Sequence, residues 1–384
     1  MRSGGHDITG RAPSLAVKLA SVPWPLVAVV ALIAAVGVLQ LHSVAGGSAS
    51  PWAERHAGRF ALGLIVILAA ALIPLSFWIR LAYPLYAISL VMLVLVPLVG
   101  IESMGARRWL GAGTMSFQPS EVMKIAIVLA LARYYQWLAP GRVSHPLYVA
   151  LPLLLIFVPV VLVLRQPDLG TAVLLMATGL ALMLLAGVNL AYFVAAAAGA
   201  LLVAPHLWAG LHDYQRRRIE VFLDPGLDPL GAGYHITQSK IALASGGLTG
   251  RGFGEGTQSQ LDFLPEKHTD FIFTMLAEEW GMVGAFAVLA LYAVAIVMLW
   301  RMAMRCESRF ARLLIAGNAT VLFLYVLVNV AMVSGLIPVV GVPLPLISYG
   351  GTAMTTVLAG LGLAAGAYVH RQTRLRPGDV AAWP

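Results

Sequence analysis

Cysteine is almost absent: Cys306 is the only one in 384 residues. A single thiol excludes an internal disulfide framework, and no Cys/His spacing matches a zinc site. Charge is scarce as well. Asp, Glu, Lys and Arg make up 11% of the chain, against about 25% in an ordinary soluble domain, and only 17 residues are acidic. Nor is there a nucleotide-binding P-loop. The glycine-rich stretch "GLTGRGFGEG" at 247–256 lacks a preceding strand and the Lys-Ser/Thr pair, so it reads as a flexible connection ahead of a phosphate cradle.

What is present is apolar. Hydrophobic residues form 60% of the chain and the mean hydropathy is +0.85. Apolar stretches lie near 23–42, 58–78, 82–100, 119–138, 146–164, 170–188, 190–208, 271–300, 310–335 and 349–369. Most reach the roughly 20 residues a helix needs to cross a bilayer. The pattern predicts an all-α polytopic membrane protein with about ten transmembrane helices. The first stretch follows Arg2, Arg11 and Lys18 but exceeds a signal-peptide core, which predicts a retained helix.

The net charge of +8 is a topology signal. Arginines concentrate in segments that alternate to one side, which the positive-inside rule places in the cytoplasm together with both termini. Nucleic-acid binding is set aside on that ground. The expected organisation is a cytoplasmic segment 1–22, a membrane domain 23–370 and a cytoplasmic tail 371–384. Between the seventh and eighth helices, residues 209–270 form a long extracytoplasmic loop, a length uncommon without a function. Within it, Tyr234 to Ser245 predicts a short helix, suited to the membrane interface, that stops at Gly246 and Gly247.

Polar residues collect at the predicted outer helix ends. "FLPEKHTDFIF" at 263–273 places Glu266, Lys267, His268 and Asp270 before an apolar run. One reading makes Thr269 or Asp270 the cap of the next helix. The other makes the ionised carboxylate an acceptor for a substrate proton. Glu278 and Glu279 follow about 12 Å deeper, on different faces, where an uncompensated charge costs about 3 kcal/mol. "RRW…FQPSEVMK" contains Trp109 and sets Glu121 and Lys124 at i,i+3 on one helix face, an ion pair in the bland reading. "RQPDLGTA" puts Arg165 and Asp168 at a tight turn, and "PLPLISYGGTAM" brings prolines, Ser348 and Tyr349 to a helix start.

These blocks, in this order and spacing from about residue 100 to 370, resemble the SEDS family (shape, elongation, division and sporulation). "GTQSQLDFLPEKHTDFIF" resembles its elongation branch more than its division branch. The resemblance implies a ten-helix peptidoglycan glycosyltransferase of the bacterial plasma membrane that polymerises lipid II on the outer face. It implies Asp270 as general base, with release of undecaprenyl pyrophosphate. Substrate-binding positions would be Trp109, Glu121, Lys124, Arg165, Lys240, Gln258, Glu266, Lys267 and His268. Lys124, Arg165, Lys240, Arg251 and Lys267 are the candidates to face the departing pyrophosphate, and a divalent cation, magnesium or manganese, would offset the same charge. Implied partners are a class B penicillin-binding protein (a transpeptidase), other elongation-complex proteins and membrane lipid. Two alternatives stand beside this reading: a lipid II flippase or other transporter, and a non-catalytic scaffold of the elongation complex.

Overall fold

The computed structural model describes residues 14–103, 106–112, 115–210, 213–229, 231–261 and 263–375. Its helices are, in chain order, α1 (Leu15–Ala20), α2 (Trp24–Val44), α3 (Trp52–Leu72), α4 (Leu75–Val99), α5 (Pro119–Trp137), α6 (Pro146–Leu164), α7 (Leu169–Leu185), α8 (Leu190–Ala209), α9 (Asp213–Leu223), α10 (Ala232–Ser245), α11 (Thr257–Gln260), α12 (Ile272–Met304), α13 (Arg309–Val333) and α14 (Gly351–Val369). Seven of them, α2, α3, α4, α6, α12, α13 and α14, are long and apolar enough to cross a membrane. The apolar helices α7 and α8 are shorter by that measure. Helix α5 has 19 residues and includes Glu121, Lys124 and Arg133.

Two features differ from the sequence reading. The stretch expected at 58–78 is divided: α3 begins at Trp52 and ends at Leu72, and α4 takes over at Leu75. Pro74 is the cause, because the residue before a proline is pushed out of helical geometry, and Ile73 is extended at φ −71 and ψ 132. The chain is also not purely helical. Strands β1 (Ile101–Ser103), β2 (Ala106–Ala112) and β3 (Met115–Phe117) form a small antiparallel meander between α4 and α5. Paired strands satisfy the backbone of a connection that lies between two membrane helices.

Helices α13 and α14 form the centre of the bundle, each 72% buried across its most apolar stretch, against 28% for α3 and α4. Small residues let α14 approach α3. A Cβ on Gly362 would stand 2.9 Å from the Ile67 Cα, and one on Gly366 would stand 2.7 Å from the Ala70 carbonyl oxygen. These two glycines form a G-x-x-x-G face, the usual means of bringing helix backbones together in lipid. At the opposite ends of the helices, long cations close off free carbonyls. Arg309 donates to Leu138 O at the end of α5 and to Ala186 O at the end of α7, and Lys18 donates to Leu72 O at the end of α3.

The long helix α12 is broken at Gly281, where φ is +68. In an unbroken helix Met282 and Val283 would donate to Glu278 and Glu279. Here Met282 N donates to Gly247 O and Val283 N to Leu248 O, while Arg251 N and Gly252 N donate to the carbonyls of Glu278 and Glu279. Two helical rungs are thus replaced by four bonds to the glycine-rich segment. That segment is therefore neither a flexible connection nor a phosphate cradle: its backbone is spliced into a membrane helix. Only glycine permits the contact, since a Cβ on Gly250 would sit 2.1 Å from Glu279 O and one on Gly281 would sit 2.2 Å from Gly250 N. The predicted helix before it is present as α10, and it ends at Gly246 with Gly247 at φ +54. It does not lie free at the interface, because the buried Ser239 bonds to Thr274 and to Val333 O and docks α10 on α12 and α13.

Gly281→Ala is expected to destabilise the protein by at least about 1–3 kcal/mol from the backbone conformation alone, with the clash added. Thermal retention of a monodisperse peak in detergent measures this; a wild-type profile would refute the splice.

Candidate functional site

Helix α12 opens at Ile272 with Phe271 in the cap position and no capping side chain. The cap expected from Thr269 or Asp270 is therefore not the reason for the acid at this position. The Thr269 hydroxyl turns back to Glu266 Oε2 at 2.7 Å, and Asp270 stands half-buried two residues ahead of the helix.

What holds Asp270 is its main chain. The carbonyl of His268 accepts from Tyr349 N at 2.8 Å, that of Thr269 from Ser348 Oγ at 2.6 Å, and that of Asp270 from Asn329 Nδ2 at 2.9 Å. Three consecutive carbonyls are thus fixed by groups from α13 and from the segment 334–350 that leads into α14. Ser348 is itself set by Leu344 N, which donates to its hydroxyl at 2.7 Å. The Asp270 carboxylate lies beside Gly341, where a Cβ would be 3.5 Å from Oδ2.

Aromatic rings and a cation line the same loop. The His268 imidazole stacks on Trp52 at 4.4 Å between centroids and 8° between planes, with Tyr349 at 6.0 Å. The Arg59 guanidinium lies 4.8 Å above the Tyr349 ring. Burial holds the His268 imidazole below its ordinary 6.5; the Glu266 carboxylate works against this and Lys267 with it. Lys267 is buried and donates to Ser259 O at 2.6 Å, so it ties the loop to α11.

A second cluster lies inside the bundle. Lys124 and Glu121 form a buried ion pair at 2.5 Å, and the Tyr325 hydroxyl joins both, receiving a hydrogen bond from Lys124 and donating to Glu121 Oε2 at 2.9 Å. The internal ion pair is therefore real, with an added phenol. Tyr325 and Asn329 are four residues apart on α13, hence on one face about 6 Å apart along the axis, which joins this cluster to the Asp270 loop. At its N-terminal end α5 is tied to the Arg165 turn: Gln118 donates to Asp168 Oδ2 at 3.0 Å, and Asp168 Oδ1 caps α7 through Thr171 N. Arg108 donates to the carbonyls of Gln166 (3.1 Å) and Pro167 (2.5 Å).

The remaining candidates are dispersed. Trp109 is partly exposed on β2, opposite Ile101. Arg165 and Arg251 are exposed, and Lys240 lays its chain over Gly335 at the end of α13. Gln258 donates its backbone N–H to Glu278, which also accepts from Thr257 and Ser245. Glu279 accepts from Ser43 at 2.6 Å. Both buried glutamates thus accept from hydroxyls and amides, and these bonds brace the broken helix. Among the described residues no group of three or more His, Cys, Asp or Glu side chains is placed to hold a metal ion. Sequence reasoning passed over Trp52, Arg59, Tyr325 and Asn329. For Asn329 the signal was an amide inside an apolar helix; polar groups at membrane depth are seldom idle.

Comparison with known proteins places these residues in context. The cell cycle protein family model covering FtsW, RodA and SpoVE matches residues 20–373. The chain is 47% identical over 322 residues to the peptidoglycan glycosyltransferase MrdB of Escherichia coli K12, covering 83% of this chain and 86% of MrdB. It is 36% identical over 284 residues to stage V sporulation protein E of Bacillus subtilis, covering 71% and 74% of the two chains. Among solved structures, the rod shape determining protein RodA of Thermus thermophilus superposes with a TM-score of 0.70 at 31% identity, over 92% of this chain and 98% of that one. A chain from a peptidoglycan synthase complex, studied for its coordination of polymerization and crosslinking, superposes with a TM-score of 0.79 at 35% identity, over 91% and 98%.

Two measurements probe the geometry. The neutral His268 ring is the native form, so the stability tied to it is complete above pH 6.5 and is lost as pH falls through the lowered value. His268→Phe keeps the stack and removes the titration, and its thermal stability is expected to stay level between about pH 7 and 5 where that of the wild type declines. Lys124→Met alone strands Glu121 and is expected to cost about 3–5 kcal/mol, whereas Lys124→Met with Glu121→Gln recovers most of the loss. A stable but inactive double variant would assign these charges to the reaction, and an active one to the scaffold.

Proposed function

The chain belongs to the FtsW, RodA and SpoVE family of cell cycle proteins, and from that premise we propose that Asp270 is the general base of peptidoglycan polymerisation. The protein is a multi-pass membrane protein and a peptidoglycan glycosyltransferase. The observation that carries the assignment of Asp270 is the anchoring of its loop: a half-buried carboxylate outside any helix, with its own carbonyl and the two before it each hydrogen-bonded to another part of the chain.

The reaction follows from that placement. Lipid II is held in the membrane by its polyprenyl chain while its sugars stand in water, so chemistry belongs at a helix mouth. Asp270 accepts the proton of the acceptor's sugar hydroxyl as the oxygen bonds to the anomeric carbon of the donor. The bond from that carbon to the phosphate oxygen breaks, its electron pair leaves with undecaprenyl pyrophosphate, and the α linkage becomes β in a single displacement. Positive charge stabilises the departing pyrophosphate. Lys267 in the same loop and Arg59 above Tyr349 are the cations this reading assigns to that charge, with Lys124 bonded to Tyr325 one turn from Asn329 on α13. Both termini lie in the cytoplasm and the Asp270 mouth faces outward, in keeping with the arginine distribution. A class B penicillin-binding protein is the partner this reading calls for, since the structural relative in the synthase complex comes from an assembly that couples polymerization to crosslinking.

The transporter alternative needs two compartments and the scaffold alternative needs no acid. Purified protein in detergent with labelled lipid II separates them. Wild type is expected to form glycan chains, and Asp270→Ala and Asp270→Asn to lose about 100-fold or more of the rate, the scale of general-base catalysis. Chains of normal length and yield from Asp270→Asn would remove the base from its role.

A further inference from the structure

Asn329 lies near the end of α13, wholly buried within the apolar run "VLVNVAMV" at 326–333. Its amide nitrogen donates both hydrogens, one to Asp270 O at 2.9 Å and the other to Val342 O at 2.7 Å. Both neighbours are acceptors, which fixes the orientation of the amide, since the reversed side chain would set oxygen against two oxygens. The amide oxygen is buried without a hydrogen-bond partner among the described residues. Burying an acceptor unpaired is costly, and the valines and leucines around it would fill the same space without that cost. Packing alone does not account for an asparagine here.

The two carbonyls belong to the two walls of the site. One is the main chain of the base. The other is next to Gly341, whose φ is +71 and whose missing Cβ leaves room beside Asp270 Oδ2. A single side chain therefore sets the separation between the carboxylate and the segment that faces it.

We propose that Asn329 is a positioning residue for polymerisation: it joins the Asp270 loop to the Val342 segment so that the carboxylate meets the acceptor hydroxyl at productive distance. This rests on Asp270 being the base. A displacement of about 1 Å at a reacting group costs on the order of 100-fold in rate.

The test uses full-length protein in detergent with labelled lipid II. Asn329→Asp keeps the shape and removes both donors, Asn329→Leu removes the polar group, and Asn329→Gln keeps both donors on a longer arm. For Asp and Leu the expected result is a fall in kcat, counted per folded protein, of roughly 10- to 100-fold with KM for lipid II within about twofold of wild type. Gln is expected to recover part of kcat. Wild-type kcat in the donorless variants, a change confined to KM, or a loss of folded protein that Gln does not relieve would each overturn the proposal. Asp270→Ala is assayed beside them: normal polymerisation by that variant defeats the base itself, whereas an inactive Asp270→Ala with fully active Asn329 variants defeats only the positioning role.

Discussion

Backbone polar groups at membrane depth must find partners inside the protein, and the region around α12 meets that demand in an unusual way. A broken membrane helix would expose amides and carbonyls. Here the glycine-rich segment supplies the missing bonds, and the short stretch of α12 ahead of Gly281 is held to that segment. The same logic continues upstream, where the main chain from His268 to Asp270 has left regular structure and is satisfied carbonyl by carbonyl. The position of the carboxylate is thus a by-product of solving a backbone problem. That solution also explains why the loop carries so many polar residues: Glu266 and Thr269 bond to each other across it, Lys267 ties it to Ser259, and His268 stacks on Trp52.

The tyrosine and asparagine one turn apart on α13 tie two groups of residues that the sequence shows only as separate blocks. Glu121 and Lys124 are far from Asp270 in the chain, and no local pattern brings them together. Burial removes them from water, so the pair depends on Tyr325 for its remaining hydrogen bonds. The arrangement makes α13 the common support of both clusters, consistent with its central place in the bundle.

Much of this was legible from residues alone. Runs of about 20 apolar residues located the membrane helices, because spanning length is a direct consequence of bilayer thickness. The helix stop at Gly246 and Gly247 followed from the need for left-handed backbone, and the Glu121–Lys124 pair from helical spacing. Other features needed the folded chain. Pro74 dividing an apparently continuous run was readable in principle, through its effect on Ile73. The splice at Gly281 was not, since it depends on two glycine-bearing segments meeting in space. Nor was the stack of His268 on Trp52, whose partners are remote in sequence. The capping explanation for Asp270 failed because the helix begins later than its composition suggests, and a cap is a matter of one residue.

The ends of the bundle away from the Asp270 loop carry the opposite character. Through Arg309 one side chain fastens α13 to the last carbonyls of both α5 and α7, while Gln136 accepts from Phe310 N beside it. Three helices are stapled at that end by bonds to carbonyls that have no other helical partner. Toward the Asp270 loop the same helices are tied again, α5 to α7 through Gln118 and Asp168 and α5 to α13 through Glu121 and Tyr325, so the loop stands on a support fastened along its whole length.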